Sequence, residues 1–523
     1  MPRVYFPSVI PLSDVAIRLH SDDDVVVLKK NVKAGAEYSD QGSILHIRWD
    51  LSQGHKVAIH DLAAGAPVHR YGQVIGFAQG HIAAGDHVHM HNLIVRDFAR
   101  EYEFSTDIHP LTPISPGEIR SFLGYARPSG RIGTRNYVAV ISSVNCSAST
   151  SQYVKARFSL EGLQRDFPNV DGVIAFTHKS GCCVQPGEPH AMLQRVLAGI
   201  ARHPNIAGYV MIGLGCEGHQ VSGIRADAKL DQLQPGESTP AFLNIQQQGG
   251  VRKTVEAATA AVAKLLPYAN AAKRTPQALE HLVLALNCGG SDGASGITAN
   301  PALGMASDEL VRHGGTSVLA ETPEIYGAEH LLTRRAMTRA IGEKLIAHIH
   351  WWENYVKLFG ASIDNNPSPG NKAGGLTTIY EKSLGALAKG GQAPLSAVYK
   401  YAEPITAPGF AFMDTPGFDP VSMTGLACGG CNVGVFTTGR GSVYGCKPMP
   451  CIKVATNTTL YDWMRDDMDL NAGTILDGTE TVAQVGQRIF EEIIAVANGR
   501  RTKSELQGIG DEEFAPWILG PTF

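Results

Sequence analysis

The segment Asn287–Pro301 reads NCGGSDGASGITANP, a composition suited to cradling an oxyanion. Its glycines free the backbone, so that amides near Gly289, Gly290 and Ser291 can turn toward a carboxylate or a developing negative charge. Asp292 is a candidate to bind a metal or accept a proton, and Cys288 to serve as a ligand or pack as a thiol. A second segment, Asp364–Thr378, is stiffened by Pro367 and Pro369 and bent by Gly370, Gly374 and Gly375. Asn371 and Lys372 lie in its middle. A lysine there is either a solvated surface charge or a carboxylate clamp or general base with a pKa depressed by burial. A third segment, Phe436–Thr458, sets Thr437, Thr438, Arg440 and Lys447 among glycines. Hydroxyls for hydroxyls and cations for a carboxylate suit a polyhydroxylated acid. The spacing is not that of a phosphate-binding P-loop.

His87, His89 and His91 alternate in HVHMHN, so on a strand they share one face, and three imidazoles on one face can hold a metal. QGHK adds His55. The cysteines allow two arrangements. Cys428, Cys431, Cys446 and Cys451 follow one another closely enough to bind zinc or an iron–sulfur cluster, although the second pair lacks the usual CxxC spacing. Separately, Cys146, Cys182, Cys216 and Cys288 each stand at the end of a strand-like run. They either converge on one metal centre or are small buried residues at crowded turns.

The elements that must position these groups are legible in the apolar pattern. Five strand-length apolar runs each end in a loop of glycine and polar residues: Val138–Ile141, Val173–Phe176, Tyr209–Ile212, Leu282–Leu286 and Val433–Phe436. In open α/β sheets ligands bind outside the carboxyl ends of the strands, so these loops are where a site belongs. Val251, Val255, Ala258, Val262 and Leu265 share a helical face. Thr479 is a candidate cap for a helix with Val482, Val485, Ile489, Ile493 and Val496 inward and Gly499 past its end. The first hundred residues instead carry short β-like runs punctuated by turns. The expected fold is α/β: a small β-rich domain over residues 1–103, a proline-rich linker over 104–120, and two α/β domains with mostly parallel sheets over 121–275 and 276–523.

The chain has 523 residues, 44% of them hydrophobic and 18% charged, which is globular and too long for one domain. A net charge of −4 gives no electrostatic case for nucleic acid or an anionic membrane. The opening residues lack a signal-peptide pattern and no apolar run is long enough to span a bilayer, so a cytoplasmic location is expected, where nine cysteines are not structural disulfides.

GLGCEG, NCGGSDGASGITANPALG, ETPEIYGAEHLLTRRA (Glu321–Ala336), NPSPGNKAGGLTT, FTTGRG and KVATNT stand in this order along the chain. Together they resemble the altronate/galactarate dehydratase family over nearly the whole chain. QGHKVAI and YGQVIG (Tyr71–Gly76) look like that family's SAF-type domain, and HVHMHN is closer to altronate than to galactarate dehydratases. ACGGCN and YGCKPMPC depart from both patterns and leave the substrate open. The resemblance implies loss of water from an aldonate or aldarate, such as D-altronate or galactarate, to give a 2-keto-3-deoxy acid with Fe²⁺ or Mn²⁺. It implies His55, His89 and His91 as metal ligands and His55, Lys372, Asp292 and Glu321 as acid/base candidates. Arg440, Lys447, Asn371, Thr437, Thr438 and the Gly289–Ser291 amides would hold substrate. The N-terminal module would cap the cleft between the α/β domains, and the chain would be a homo-oligomer, a dimer. Three other readings remain: a lyase acting on a sulfonated hydroxy acid such as sulfolactate, an iron–sulfur hydro-lyase, and a non-catalytic sugar-acid-binding protein.

Overall fold

The computed structural model describes residues 10–40, 42–96 and 102–520. The opening residues 1–9, on which the signal-peptide reading rests, lie outside them. Among the described residues no helix is long and apolar enough to cross a membrane.

The N-terminal region is built from short, mostly antiparallel strands. Val25–Leu28 pairs with Ala16–Ile17 on one side and Lys56–Ala58 on the other, and Lys56–Ala58 in turn pairs with His87–Val88. A second small sheet joins Pro67–Arg70, Gln73–Ala78 and Leu93–Ile94. Residues 102–120 then run along the C-terminal domain, where the Ser105, Asp107 and Ile114 amides donate to the carbonyls of Thr333, Arg334 and Arg312.

The second domain is a parallel sheet of β1 (Tyr137–Ser142), β2 (Gly172–Phe176), β3 (Ile206–Gly213) and β4 (Ala241–Asn244), in the order β2-β1-β3-β4. Both faces are covered, so the strands are apolar throughout and the two-residue period divides them. Val138, Val140, Val210 and Ile212 pack with Val255, Ala258, Val262 and Leu265 of helix α2 (Val251–Ala271). Ala139, Ile141 and Met211 pack with Val196, Leu197 and Ile200 of helix α1 (Glu188–Ala201). Val251, assigned above to the inward face, is 45% exposed, because the helix begins there and its first turn projects beyond the sheet.

The C-terminal domain holds a seven-stranded parallel sheet of β5 (Val283–Cys288), β6 (Thr316–Ala320), β7 (Leu395–Tyr399), β8 (Gly409–Met413), β9 (Val433–Thr438), β10 (Cys451–Ala455) and β11 (Leu470–Asn471). Its order is β7-β8-β6-β5-β9-β10-β11. All five loops singled out from the sequence leave the carboxyl ends of these parallel strands. The last long helix, Val482–Ala497, buries Val485, Ile489, Ile493 and Val496. It is capped by Thr481 in a reciprocal box with Gln484, rather than by Thr479. The two α/β domains are joined by an antiparallel ribbon in which Ser121–Ala126, on the way in, pairs with Arg274–Ala278, on the way out.

Candidate active site

Strand β5 lies between β6 and β9, at the point where successive strands switch from one side of the sheet to the other, and a ligand crevice opens there in folds of this kind. Its loop is pressed against three others. A Cβ on Gly293 would lie 2.0 Å from the Gly54 carbonyl oxygen of the N-terminal domain, and one on Gly439 would lie 2.1 Å from the Asp292 carboxyl carbon. Only glycine permits approaches this close.

Three imidazoles face this loop from the N-terminal domain. The ligand atoms of His55, His87 and His89 lie within 4.8 Å of one another. His55 Nδ1 is 2.9 Å from His87 Nε2, and His89 Nε2 is 2.9 Å from the Lys372 carbonyl. A carbonyl can only accept, so His89 donates Nε2–H and keeps its Nδ1 lone pair for a ligand. Burial first, then neighbouring positive charge, pulls His55 down to about 4 and His87 to about 3, so both are neutral near pH 7. Neutral, clustered and oriented imidazoles are the donor set a divalent transition metal requires, and this trio fits Fe²⁺ or Mn²⁺. His91 is exposed, and its ring stands 5.5 Å from that of His87. The strand ends at Val88, and the turn in which Asn92 and Leu93 donate to the His89 carbonyl carries His91 outward. His87 therefore takes the place assigned to His91 from the sequence.

A buried ionic knot holds the N-terminal domain to this face. Lys56 Nζ lies 2.9 and 3.0 Å from the two Glu381 carboxylate oxygens and 2.6 Å from the Gly375 carbonyl. Arg70 also pairs with Glu381 and donates to the Gly293 carbonyl at 2.8 Å. Glu381 accepts two further bonds from Thr377.

Around the imidazoles the remaining groups divide into holders and free cations. Asp292 accepts from Ala294 N, Ser295, Thr456 and Asn457, so its oxygens are engaged by the fold. Asn371, bracketed by Ser368, gives its amide to the Ser291 carbonyl at 2.8 Å. Thr437 is buried against Asn300, and Lys447 is paired with Asp511 at 2.8 Å. Each of these three is thus engaged within the fold. Thr438 accepts from the Gly441 amide. The Gly439 and Arg440 amides fix the Gly290 carbonyl at 3.0 and 2.7 Å, while the Gly289 amide is spent on Thr437. Lys372 and Arg440 make no ion pair with any described residue. The Arg440 stem passes Gly374 beside Asp292.

The same loop begins at a second, buried pole. Lys389 Nζ lies 2.8 Å from Cys288 Sγ, and Lys382 is paired with Glu324 and bonded to Asn366 Oδ1 at 2.9 Å. Glu321 closes the group at φ 74°, a left-handed conformation that costs a non-glycine residue about 1–3 kcal/mol and marks functional strain. No donor reaches either of its carboxyl oxygens. Burial, followed by the charges of Glu324 and Asp419, raises it well above the carboxylate range, so it keeps its proton. Burial and Glu324 likewise push Asp419 up to about 7. Cys288, Glu321 and Glu324 also place ligand atoms within 4.8 Å of one another, and the ammonium groups of Lys389 and Lys382 lie against them.

Comparison with known sequences decides the family. Three family profiles tile the chain: an altronate/galactarate dehydratase SAF domain over residues 14–96, the second domain of D-galactarate dehydratase/altronate hydrolase over 124–270, and the D-galactarate/altronate dehydratase C-terminal domain over 279–522. The altronate dehydratase of Escherichia coli (strain K12) is 36% identical over 94% of this chain and 96% of its own. The chain belongs to the altronate/galactarate dehydratase family. It is accordingly an enzyme of the hydro-lyase class. The galactarate dehydratase (L-threo-forming) of the same organism is 36% identical over 95% of each chain. The beta subunit of a (2R)-sulfolactate sulfo-lyase from Chromohalobacter salexigens is 32% identical over 76% of this chain and 96% of its own.

In this member of the family, sequence reasoning missed Glu324, Lys382, Lys389, Asp419 and the Lys56–Arg70–Glu381 knot. One signal was available: Lys382 and Lys389 stand seven apart, the first in helix Ile379–Leu387, every residue of which is buried. A lysine repeating every two turns on an apolar helix is inward and paired. In the other cysteine set, Cys428, Cys431 and Cys451 are buried in apolar clusters, and burial raises all three thiols. Cys288 leaves the set drawn with Cys146, Cys182 and Cys216, since Lys389 and Glu324 engage it.

The raised Asp419 carboxyl makes a stability prediction. Folded, it keeps its proton up to about pH 7; unfolded, it loses it near its ordinary value of 3.8. Between these values the unfolded chain binds fewer protons, so its contribution to stability falls as pH rises and is constant above 7. Relative to wild type, Asp419→Asn is expected to gain melting temperature steadily from pH 4 to about pH 7 and to level off above it. A gap independent of pH in thermal scans would place the titration elsewhere.

Proposed function

We propose that this chain is a cytoplasmic dehydratase converting a sugar acid, such as D-altronate or galactarate, to a 2-keto-3-deoxy acid with Fe²⁺ or Mn²⁺ held by His55, His87 and His89. The observation that carries the reading is that the glycine-rich loop after β5 packs against the segments bearing the unpaired cations Lys372 and Arg440, and starts at the buried pole holding Glu321. Lys372 and Arg440 grip the substrate carboxylate. The Gly290 and Ser291 amides, without described partners, face the charge that develops when the C2 proton leaves. When bound, the metal ion would lend positive charge to the carboxylate and the 2-hydroxyl. Asp419, titrating near neutrality, takes the C2 proton, and Glu321 donates its proton to the leaving 3-hydroxyl, which departs as water. The enol then takes up a solvent proton at C3, and the products balance as keto acid plus water.

The test is anaerobic incubation of the purified chain with Fe²⁺ or Mn²⁺ and a panel of aldonates and aldarates in deuterated water. One deuterium at C3 of a 2-keto-3-deoxy product is expected. Sulfite released from sulfolactate, with no keto acid formed from any sugar acid, would favour the chemistry of the sulfo-lyase relative instead. Lys372→Ala and Arg440→Ala should each lower kcat/KM by about 10- to 100-fold, the worth of one charge-assisted hydrogen bond of roughly 1.5–3 kcal/mol. Their melting temperatures should match wild type, because neither side chain is paired within the fold. Unchanged kcat/KM in either variant removes that residue from the site.

A further inference from the structure

The carboxyl end of the second domain's sheet carries a set of thiols that the dehydration scheme does not use. Cys146 follows β1, Cys182 and Cys183 follow β2, and Cys216 follows β3, three adjacent parallel strands with β1 in the middle. Strand β1 is also where this sheet reverses its direction of growth, which gives the second domain its own switch-point crevice.

The loops that bear the thiols are locked to one another. The Asn145 amide donates to the Ser180 carbonyl at 2.9 Å, and the Gly218 and His219 amides donate to Cys182 and Gly181 at 2.8 and 3.2 Å. Buried Glu217 accepts from the Leu214 and Gly215 amides and from Ser143 Oγ, pinning the turn that presents Cys216. All four thiols are exposed and free of disulfides. A hydrogen bond with Cys183, then the charges of Cys183, Cys146 and Cys216, raise the Cys182 thiol, so these sulfurs repel one another when ionised. Cys146, Cys182 and Cys183 line a cleft of about 270 Å³, together with Trp517 and Leu519. Next to these loops His219 is 1% exposed, neither of its ring nitrogens has a hydrogen-bond partner, and its ring meets that of His190 edge-on at 4.4 Å.

Crowded thiolates on a rigid frame call for a thiophilic cation. A single tetrahedral zinc, with Zn–S near 2.3 Å, would draw its sulfurs to about 3.8 Å apart. No three of these sulfurs lie within 4.8 Å of one another, a wider spacing than one ion takes. We propose that Cys146, Cys182 and Cys216 ligate an iron–sulfur cluster at this second switch point, with Cys183 at its rim and one side of the cluster open to the cleft. The site shares no residue with the imidazole site and stands or falls independently of it.

The full-length chain, purified anaerobically, is incubated with Fe²⁺ and Fe³⁺ in equal amounts and with sulfide, so that the two ferric irons of the cluster come from the added Fe³⁺; it is then desalted and analysed for iron, acid-labile sulfide and a visible absorption that bleaches with dithionite. About four iron and four sulfide per chain are expected for a cubane cluster. C146S, C182S and C216S should each fall to near background with unchanged melting temperature, whereas C183S and His87→Ala should retain the chromophore. Iron and sulfide no higher than in the triple serine variant, or one zinc per chain without sulfide, would overturn the assignment. So would retention of the cluster in C182S together with its loss in C183S.

Discussion

His87→Ala and His89→Ala are expected to weaken Mn²⁺ binding by at least roughly a hundredfold, the upper end of what losing even an outer-shell partner costs a metal site. Calorimetric titration with Mn²⁺ reads this directly, without substrate. His91→Ala should stay within a few-fold of wild type, because its ring lies outside the trio whose ligand atoms all lie within 4.8 Å of one another. The comparison is discriminating because the period-two pattern alone ranks His89 and His91 together and makes no distinction for His87. Wild-type affinity in His87→Ala, or an equal loss in His91→Ala, would restore the ligand set read from the sequence.

Glu381→Ala should destabilise the protein by about 3–5 kcal/mol, the cost of leaving buried charge without its partner. Lys56 and Arg70, both 0% exposed, would then face each other with no anion between them. Since those two cations belong to the N-terminal domain and Glu381 to the C-terminal domain, the loss should appear first as protease sensitivity of the N-terminal domain and as weakened metal binding. Acid should act in the same way. Burial alone would raise the Glu381 carboxyl, but Lys56 and Arg70 hold it down to about 2 against an ordinary value of 4.5. The knot's contribution is therefore complete above pH 4.5 and is lost as pH falls from there toward 2. A variant that melts with wild type, or N-terminal protection unaffected at pH 3, would show that the domains are held by apolar contact alone.

What could be read from the sequence follows from the range over which each feature is determined. The five strand–loop units are local: a parallel strand covered on both faces is apolar throughout, and the glycines after it mark the turn. Whether Asn371, Thr437 or Asp292 holds the fold or meets a ligand depends on distant partners such as Ser291, Asn300 and Thr456, which no local pattern announces. His91 stands outside the clustered trio because alternation implies one face only while a strand continues, and this strand stops at Val88. The Lys56–Glu381 pair, separated by 325 positions, has no local signature at all.

The antiparallel ribbon between Ser121–Ala126 and Arg274–Ala278 brings the two ends of the second domain side by side, with Tyr125 opposite Arg274. Paired strands run about 5 Å apart, so a short turn would bridge the gap if everything between were excised. The thiol-bearing unit is thus a cassette spliced into a host chain at one point, the arrangement in which domains are most readily inserted or exchanged. A host cut at 126 and 274 and rejoined by a few glycines would keep the imidazoles, Lys372, Arg440 and the Glu321 pole on one continuous scaffold.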